Sequence, residues 1–166
     1  MRYTYVKQQD TTDCAAACLA MVCLHYKKET TITRLRDMMG TDLRGINLIG
    51  LSSCAERLGF TAQAVRVDKE GFLSQYTLPA IANVITKEGL SHFVVIFKIT
   101  KSHVIIGDPA KDLIRVEIEK FYENFTGAML LLIEKLRGYI IIKFLMQCML
   151  LDHGLFKMFN CFERYV

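Results

Sequence analysis

The sequence predicts an α+β fold, with a helical N-terminal half packed on an antiparallel sheet formed by the C-terminal half. Three observations lead there. Up to Gly59 apolar residues recur at helical spacing between helix-start and helix-stop residues. From Phe60 the pattern changes to period two or to short β-branched runs. The two regimes follow one another, which is the α+β layout.

The first helix starts at Cys14. The run Gln8 to Asp13 is polar and turn-prone, because Asp and Thr side chains compete with the backbone for hydrogen bonds, and it gives way to an Ala-, Leu- and Met-rich stretch ending near Tyr26. That helix is apolar on most faces and belongs in the core. Thr30 and Thr31 can cap a second, short helix through Ile32, Leu35 and Met38, closed by Gly40. After the turn-like Asp42-Leu43-Arg44-Gly45, a third helix places Leu48, Leu51, Ala55 and Leu58 on one face and stops at Gly59.

Strands are then expected over Ala62 to Val67 and Pro79 to Ile85, with a brief helical segment, Lys69 to Gln75, between them. His92 to Thr100 and His103 to Ile106 form a hairpin around Lys101-Ser102. Gly107 to Asp112 is a turn by composition, and Leu113 to Ile118 alternates like another strand. Phe121 to Phe125 reads as a polar-aromatic stretch, and Ala128 to Ile133 as a final buried strand.

With 166 residues, 52% of them hydrophobic, the chain suits one sizeable core: a domain over 1–135 and a tail over 136–166. The net charge of +4 is dispersed along the chain and leaves no nucleic-acid footprint. The N-terminus lacks the apolar stretch of a secretory signal, so a reducing compartment is expected. Of the six cysteines, Cys18 and Cys23 lie in the apolar helix, where free thiols behave as small hydrophobes. No Cys-x-x-Cys pair argues for zinc, and neither a metal nor a cofactor is expected. Within the tail, Gly138 to Leu151 is 14 residues interrupted by Lys143 and Gln147, short of the roughly 20 needed to cross a membrane. It reads equally as a terminal amphipathic helix or as a linker toward a transmembrane region.

Cys14 carries the chemical interest. A thiol in the first turn of a helix meets unpaired N–H groups and the positive end of the helix dipole, which favour the thiolate. Such a thiol needs a base, and the base a third group to orient it. Among the four histidines, His25 is about three turns from Cys14, and His153 lies in the tail. His103 falls at the turn end of the hairpin. His92 stands at the open end: with Lys101-Ser102 as the turn it falls opposite Lys111, close to Asp108. Asp13, next to Cys14, opposes the thiolate unless it caps the helix. Each residue also has an ordinary reading: a buried thiol, a surface histidine, a turn aspartate and a solvated Gln8.

Taken together, Gln8, Asp13-Cys14, Ala17-Cys18, His92-Phe93-Val94-Val95 and Gly107-Asp108-Pro109-Ala110 resemble, in order and spacing, family 39 of the cysteine peptidases, found at the N-terminus of peptidase-containing ABC transporters that process bacteriocin and lanthipeptide precursors. The resemblance runs from about Val6 to Ile133 and implies a papain-like fold. It also implies that Cys14 is the nucleophile, His92 the base and then acid, and Asp108 the orienting group. Gln8 then supplies the side-chain donor of an oxyanion hole, beside the backbone N–H of Cys14. The family usually has Gly after the nucleophile, where this chain has Ala15.

The implied function is cytoplasmic removal of a leader peptide after a Gly-Gly type motif, at the inner face of the membrane and coupled to transmembrane and ATPase domains. No Gly-x-x-x-x-Gly-Lys-Ser/Thr loop and no full membrane span is present in this chain. The isolated domain is expected to be a monomer. The leader's amphipathic helix would lie in an apolar groove, for which exposed side chains of Leu48 to Leu58 and Phe60 to Phe72 are candidates. Two alternatives stand beside this reading: a non-catalytic substrate-binding relative, which would lack the nucleophile, and a papain-like amidase of other specificity.

Overall fold

In the computed structural model, which describes residues 3–40 and 47–135, the chain divides into two units, Met1–Ile133 and Glu134–Val166. The first unit carries all that follows. The expected turn at Asp42-Leu43-Arg44-Gly45 and the tail over 136–166 lie outside the described residues.

Three helices come first: α1 (Cys14–His25), α2 (Ile32–Met39) and α3 (Leu48–Arg57). The anticipated caps are present on α2, where the Thr31 hydroxyl accepts the Arg34 N–H and Gly40 closes the helix in the left-handed conformation at φ 61°. Asn47 caps α3 by accepting the Gly50 N–H. In α1 every residue from Ala15 to Cys23 is buried. Cys14, Cys18, Cys23 and Cys54 are free thiols.

The remainder is β1 (Phe60–Arg66), α4 (Lys69–Leu73), β2 (Ala80–Ile85), β3 (Ser91–Ile99), β4 (His103–Gly107), β5 (Leu113–Glu117), α5 (Ile118–Asn124) and β6 (Phe125–Glu134). The strands form one six-stranded sheet in the order β1-β6-β2-β3-β4-β5. The pairs β2–β3, β2–β6, β3–β4 and β4–β5 are antiparallel, as the α+β reading requires.

Both faces of β3 are buried, and alternation along it divides the core. Phe93, Val95 and Phe97 join α1, Leu51 and Leu130 in one cluster. Val94 and Ile96 join Val104, Ile106, Phe72 and Phe121 in the other. The polar-aromatic stretch from Phe121 is helical as far as Asn124 and forms most of α5, which covers this second face and stacks Phe121 on Phe72 with ring centroids 5.4 Å apart.

The hairpin departs from the simple register. Close to the turn, Ile99 pairs with Val104 and Lys98 with Ile105, but farther along Ile96 pairs with Ile106 and Val95 with Gly107. β3 therefore carries one extra residue at Phe97–Lys98, a β-bulge. Continued past Gly107, the shifted register brings Asp108 into step with Val94 rather than Val95. Because side chains alternate across a strand, that single residue moves Asp108 to the face that carries His92.

Gly107 is fixed by space. A Cβ there would come within 2.9 Å of both Met21 Sδ and Phe97 Cε2, so its lack of a side chain lets β4 lie tightly against α1.

Candidate active site

Cys14 is the first residue of α1 and is half-buried. His92 is the second residue of β3, paired across to Val84 of β2. Asp108 follows the last residue of β4. The fold brings all three together at one end of the sheet, although they come from distant parts of the chain.

His92 Nε2 lies 2.8 Å from Asp108 Oδ1, with both side chains largely enclosed, 12% and 5% exposed. An ionised carboxylate only accepts, so Nε2 carries the hydrogen and donates it. Nδ1 is left available, and Cys14 is near enough to favour the charged ring. Burial works against the charged imidazolium, but the hydrogen bonds and charges of Asp108 and Cys14 outweigh it and push His92 up to about 9. For Asp108, burial favours the protonated form. The hydrogen bond and charge of His92, the Ala110 N–H and Lys111 prevail and hold the carboxyl below its usual range. Ala110 N donates to Oδ1 at 3.0 Å, and Lys111 Nζ lies 3.2 Å from Oδ2.

Gln8 is tied to the same loop from the opposite end of the chain. Its backbone N–H donates to the Pro109 carbonyl at 3.0 Å, and the Tyr5 hydroxyl reaches that carbonyl at 3.4 Å. The Gln8 side-chain Oε1 is buried and has no hydrogen-bond partner among the described residues. A buried polar atom without a partner is costly.

The other two described histidines are elsewhere. His25 packs on Tyr26 and Phe97 at the far end of α1. His103 sits by the hairpin turn, bonded to Ser102 Oγ and Arg115. Asp13 occupies the N-cap position but does not cap: its backbone is helical and its side chain makes no capping bond. The carboxylate turns instead to the Asp10 N–H at 3.0 Å and to Arg36 Nε of α2 at 3.2 Å. Sequence reasoning missed Arg36, since nothing local links α2 to the start of α1.

A cavity of about 480 Å³ opens beside the His92–Asp108 pair. Val94, Ile106, Val116 and Phe121 contribute apolar surface, and Lys87, Lys111 and Lys120 bring positive charge. Within the two stretches considered for a groove, Leu51, Cys54, Ala55, Phe60 and Phe72 are buried in the core, whereas Ile49 is exposed.

A sequence model of the Peptidase C39 family matches residues 2–136. The chain belongs to this family. Among relatives of this C39 domain, the lactococcin-G-processing and transport ATP-binding protein LagD of Lactococcus lactis subsp. lactis is 40% identical over 126 residues, which cover 75% of this chain and 18% of LagD. The pediocin PA-1 transport/processing ATP-binding protein PedD of Pediococcus acidilactici is 34% identical over 117 residues, 70% of this chain and 16% of PedD. The C39 domain thus spans less than a fifth of the length of these relatives.

Among solved structures, the peptidase domain of Streptococcus ComA, a bifunctional ABC transporter involved in quorum sensing, superposes with a TM-score of 0.76 at 32% identity, covering 80% of this chain and 99% of that one. A double glycine motif protease from an AMS/PCAT transporter, solved in complex with its leader peptide, gives 0.73 at 29% identity, with 79% and 91% covered. The expected papain-like arrangement of a helical half on an antiparallel sheet is therefore the fold of this C39 domain.

Proposed function

We propose that this C39 domain is a cysteine endopeptidase that removes leader peptides from ribosomally made bacteriocin or lanthipeptide precursors after a Gly-Gly type motif. The observation that carries the reading is the enclosed His92–Asp108 bond facing a thiol at the start of a helix.

In this mechanism His92 takes the Cys14 proton, and the resulting thiolate attacks the carbonyl carbon of the second glycine. The oxyanion that forms is stabilised by the Cys14 backbone N–H and the Gln8 carboxamide. The carboxamide can turn to present its NH₂ group, the donor that an oxyanion requires. The imidazolium, oriented by Asp108, protonates the leaving amine. Water, deprotonated by His92, then hydrolyses the thioester and restores the thiol.

The cavity beside His92 suits the preceding part of the leader. Its apolar wall accepts the hydrophobic face of an amphipathic helix. Relatives such as LagD and PedD are named as transport and processing ATP-binding proteins. By analogy this domain works joined to transmembrane and ATPase domains, at the cytoplasmic face of the membrane, with residues 136–166 leading toward them.

The test incubates the chain with a Gly-Gly leader peptide, with the same peptide carrying a bulky residue in place of the second glycine, and compares Cys14→Ala. Cleavage of the first peptide alone, and only with Cys14 present, is expected. Cleavage that survives Cys14→Ala overturns the mechanism, and equal cleavage of both peptides overturns the specificity.

A further inference from the structure

Among the described residues two charged side chains are buried, Asp108 and Asp13. The first serves His92, whereas the second has no part in the mechanism above, although it immediately precedes Cys14 and is fully enclosed. A bare carboxylate in that position opposes formation of a neighbouring thiolate, because two like charges in a poorly solvated site destabilise each other.

The structure gives this carboxylate two partners. Oδ2 accepts the Asp10 N–H at 3.0 Å and closes the turn between the Gln8 segment and α1. Oδ1 lies 3.2 Å from Arg36 Nε, a guanidinium that reaches in from α2 with its side chain 42% exposed. That contact falls outside hydrogen-bond geometry, leaving Oδ1 without a hydrogen-bond partner, so what Arg36 brings is opposite charge.

We propose that Arg36, acting through Asp13, is a positioning residue for the Cys14 thiolate: it allows a buried carboxylate to brace the Asp10–Asp13 turn without leaving an uncompensated negative charge on the residue that precedes Cys14. The proposal rests on the reading of Cys14 as the nucleophile. The other titratable groups around Cys14 are His92 of β3 and Cys18 one turn along α1, with Asp108 behind His92. Asp10 lies in the lead-in, on the far side of the Asp13 bond. From α3, Glu56 and Arg57 stand at the C-terminal end, where Arg57 bonds the Met38 carbonyl of α2. Arg36 is the basic group placed on Asp13.

The test measures alkylation of Cys14 by iodoacetamide against pH in the full chain, with mass spectrometry to separate Cys14 from the buried Cys18 and Cys23. It reads the thiolate directly, so it stands even if no leader peptide is cut. Arg36→Gln is expected to move the midpoint of the curve to higher pH and to lower the neutral-pH alkylation rate by about tenfold, one pH unit's worth of thiolate. Arg36→Lys should restore most of the rate. Adding Asp13→Asn to Arg36→Gln should return the midpoint toward that of the unaltered chain, because the charge that needed compensation is gone. Asp13→Asn alone should lower the midpoint, and this variant decides the matter if Arg36→Gln does not fold. An unchanged midpoint in folded Arg36→Gln, a double variant as slow as Arg36→Gln, or an unmoved midpoint in Asp13→Asn would overturn the proposal.

Discussion

His92 and Asp108 meet at 2.8 Å because β3 holds one residue more than the stretch of β4 opposite it. Without the bulge at Phe97–Lys98 the two side chains would leave opposite faces of the sheet.

Asp108→Asn removes the charge that favours the His92 imidazolium. The ring should then titrate well below about 9, which NMR of its carbon-bound protons would follow directly. Stability changes with pH in a definite sense. The contribution from His92, whose value is raised above its ordinary 6.5, is complete below 6.5 and fades as pH rises through about 9. The contribution from Asp108, whose value is lowered, is present above the usual carboxylate range and fades on acidification. The gap in unfolding free energy between the unaltered chain and Asp108→Asn should therefore be widest near about pH 6, at roughly 1–3 kcal/mol, and close toward pH 10.

Gln8→Ala is expected to lower kcat by roughly 10²–10³-fold with little change in KM, since an oxyanion donor acts on the tetrahedral intermediate more than on bound substrate. A fall in leader affinity with kcat unchanged would place Gln8 in peptide binding instead.

Gly107→Ala forces a methyl group toward Met21 Sδ and Phe97 Cε2. Overpacking of this kind should cost about 1–3 kcal/mol in denaturant unfolding. Leader cleavage should fall as well, because the residue precedes Asp108.

Ala15→Gly installs the residue that the resemblance leads one to expect after Cys14. Ala15 is buried in the first turn of α1 with helical neighbours, so the change should lower stability by about 1 kcal/mol and leave a folded, cleaving enzyme. A large gain in kcat/KM would mean that the Ala15 methyl crowds the substrate backbone.

The helices were legible because their signals are local. Thr31, Gly40 and Gly59 mark ends that depend on one or two neighbouring residues. α5 was not, because Phe121 and Tyr122 have strand-like propensity, and their helical turn is packed against Phe72, distant in sequence. The proximity of His92 and Asp108 follows from hairpin topology alone, but their shared face does not, since no residue in Phe93 to Lys98 announces a bulge. Asp13 shows the reverse: its residue type is ideal for a cap, yet Arg36 and the Asp10 N–H draw the carboxylate away from the helix end.

The Pro109 carbonyl receives both Gln8 and Tyr5, the latter 104 residues away along the chain. During synthesis the helical half leaves the ribosome first, with its thiol in place but with neither base nor brace. The loop that holds Asp108 and anchors Gln8 emerges only near the end of the domain. On the proposed reading, a nascent chain gains its cutting chemistry only when it is almost whole, and a truncated product carries the Cys14 thiol without the Asp108 loop.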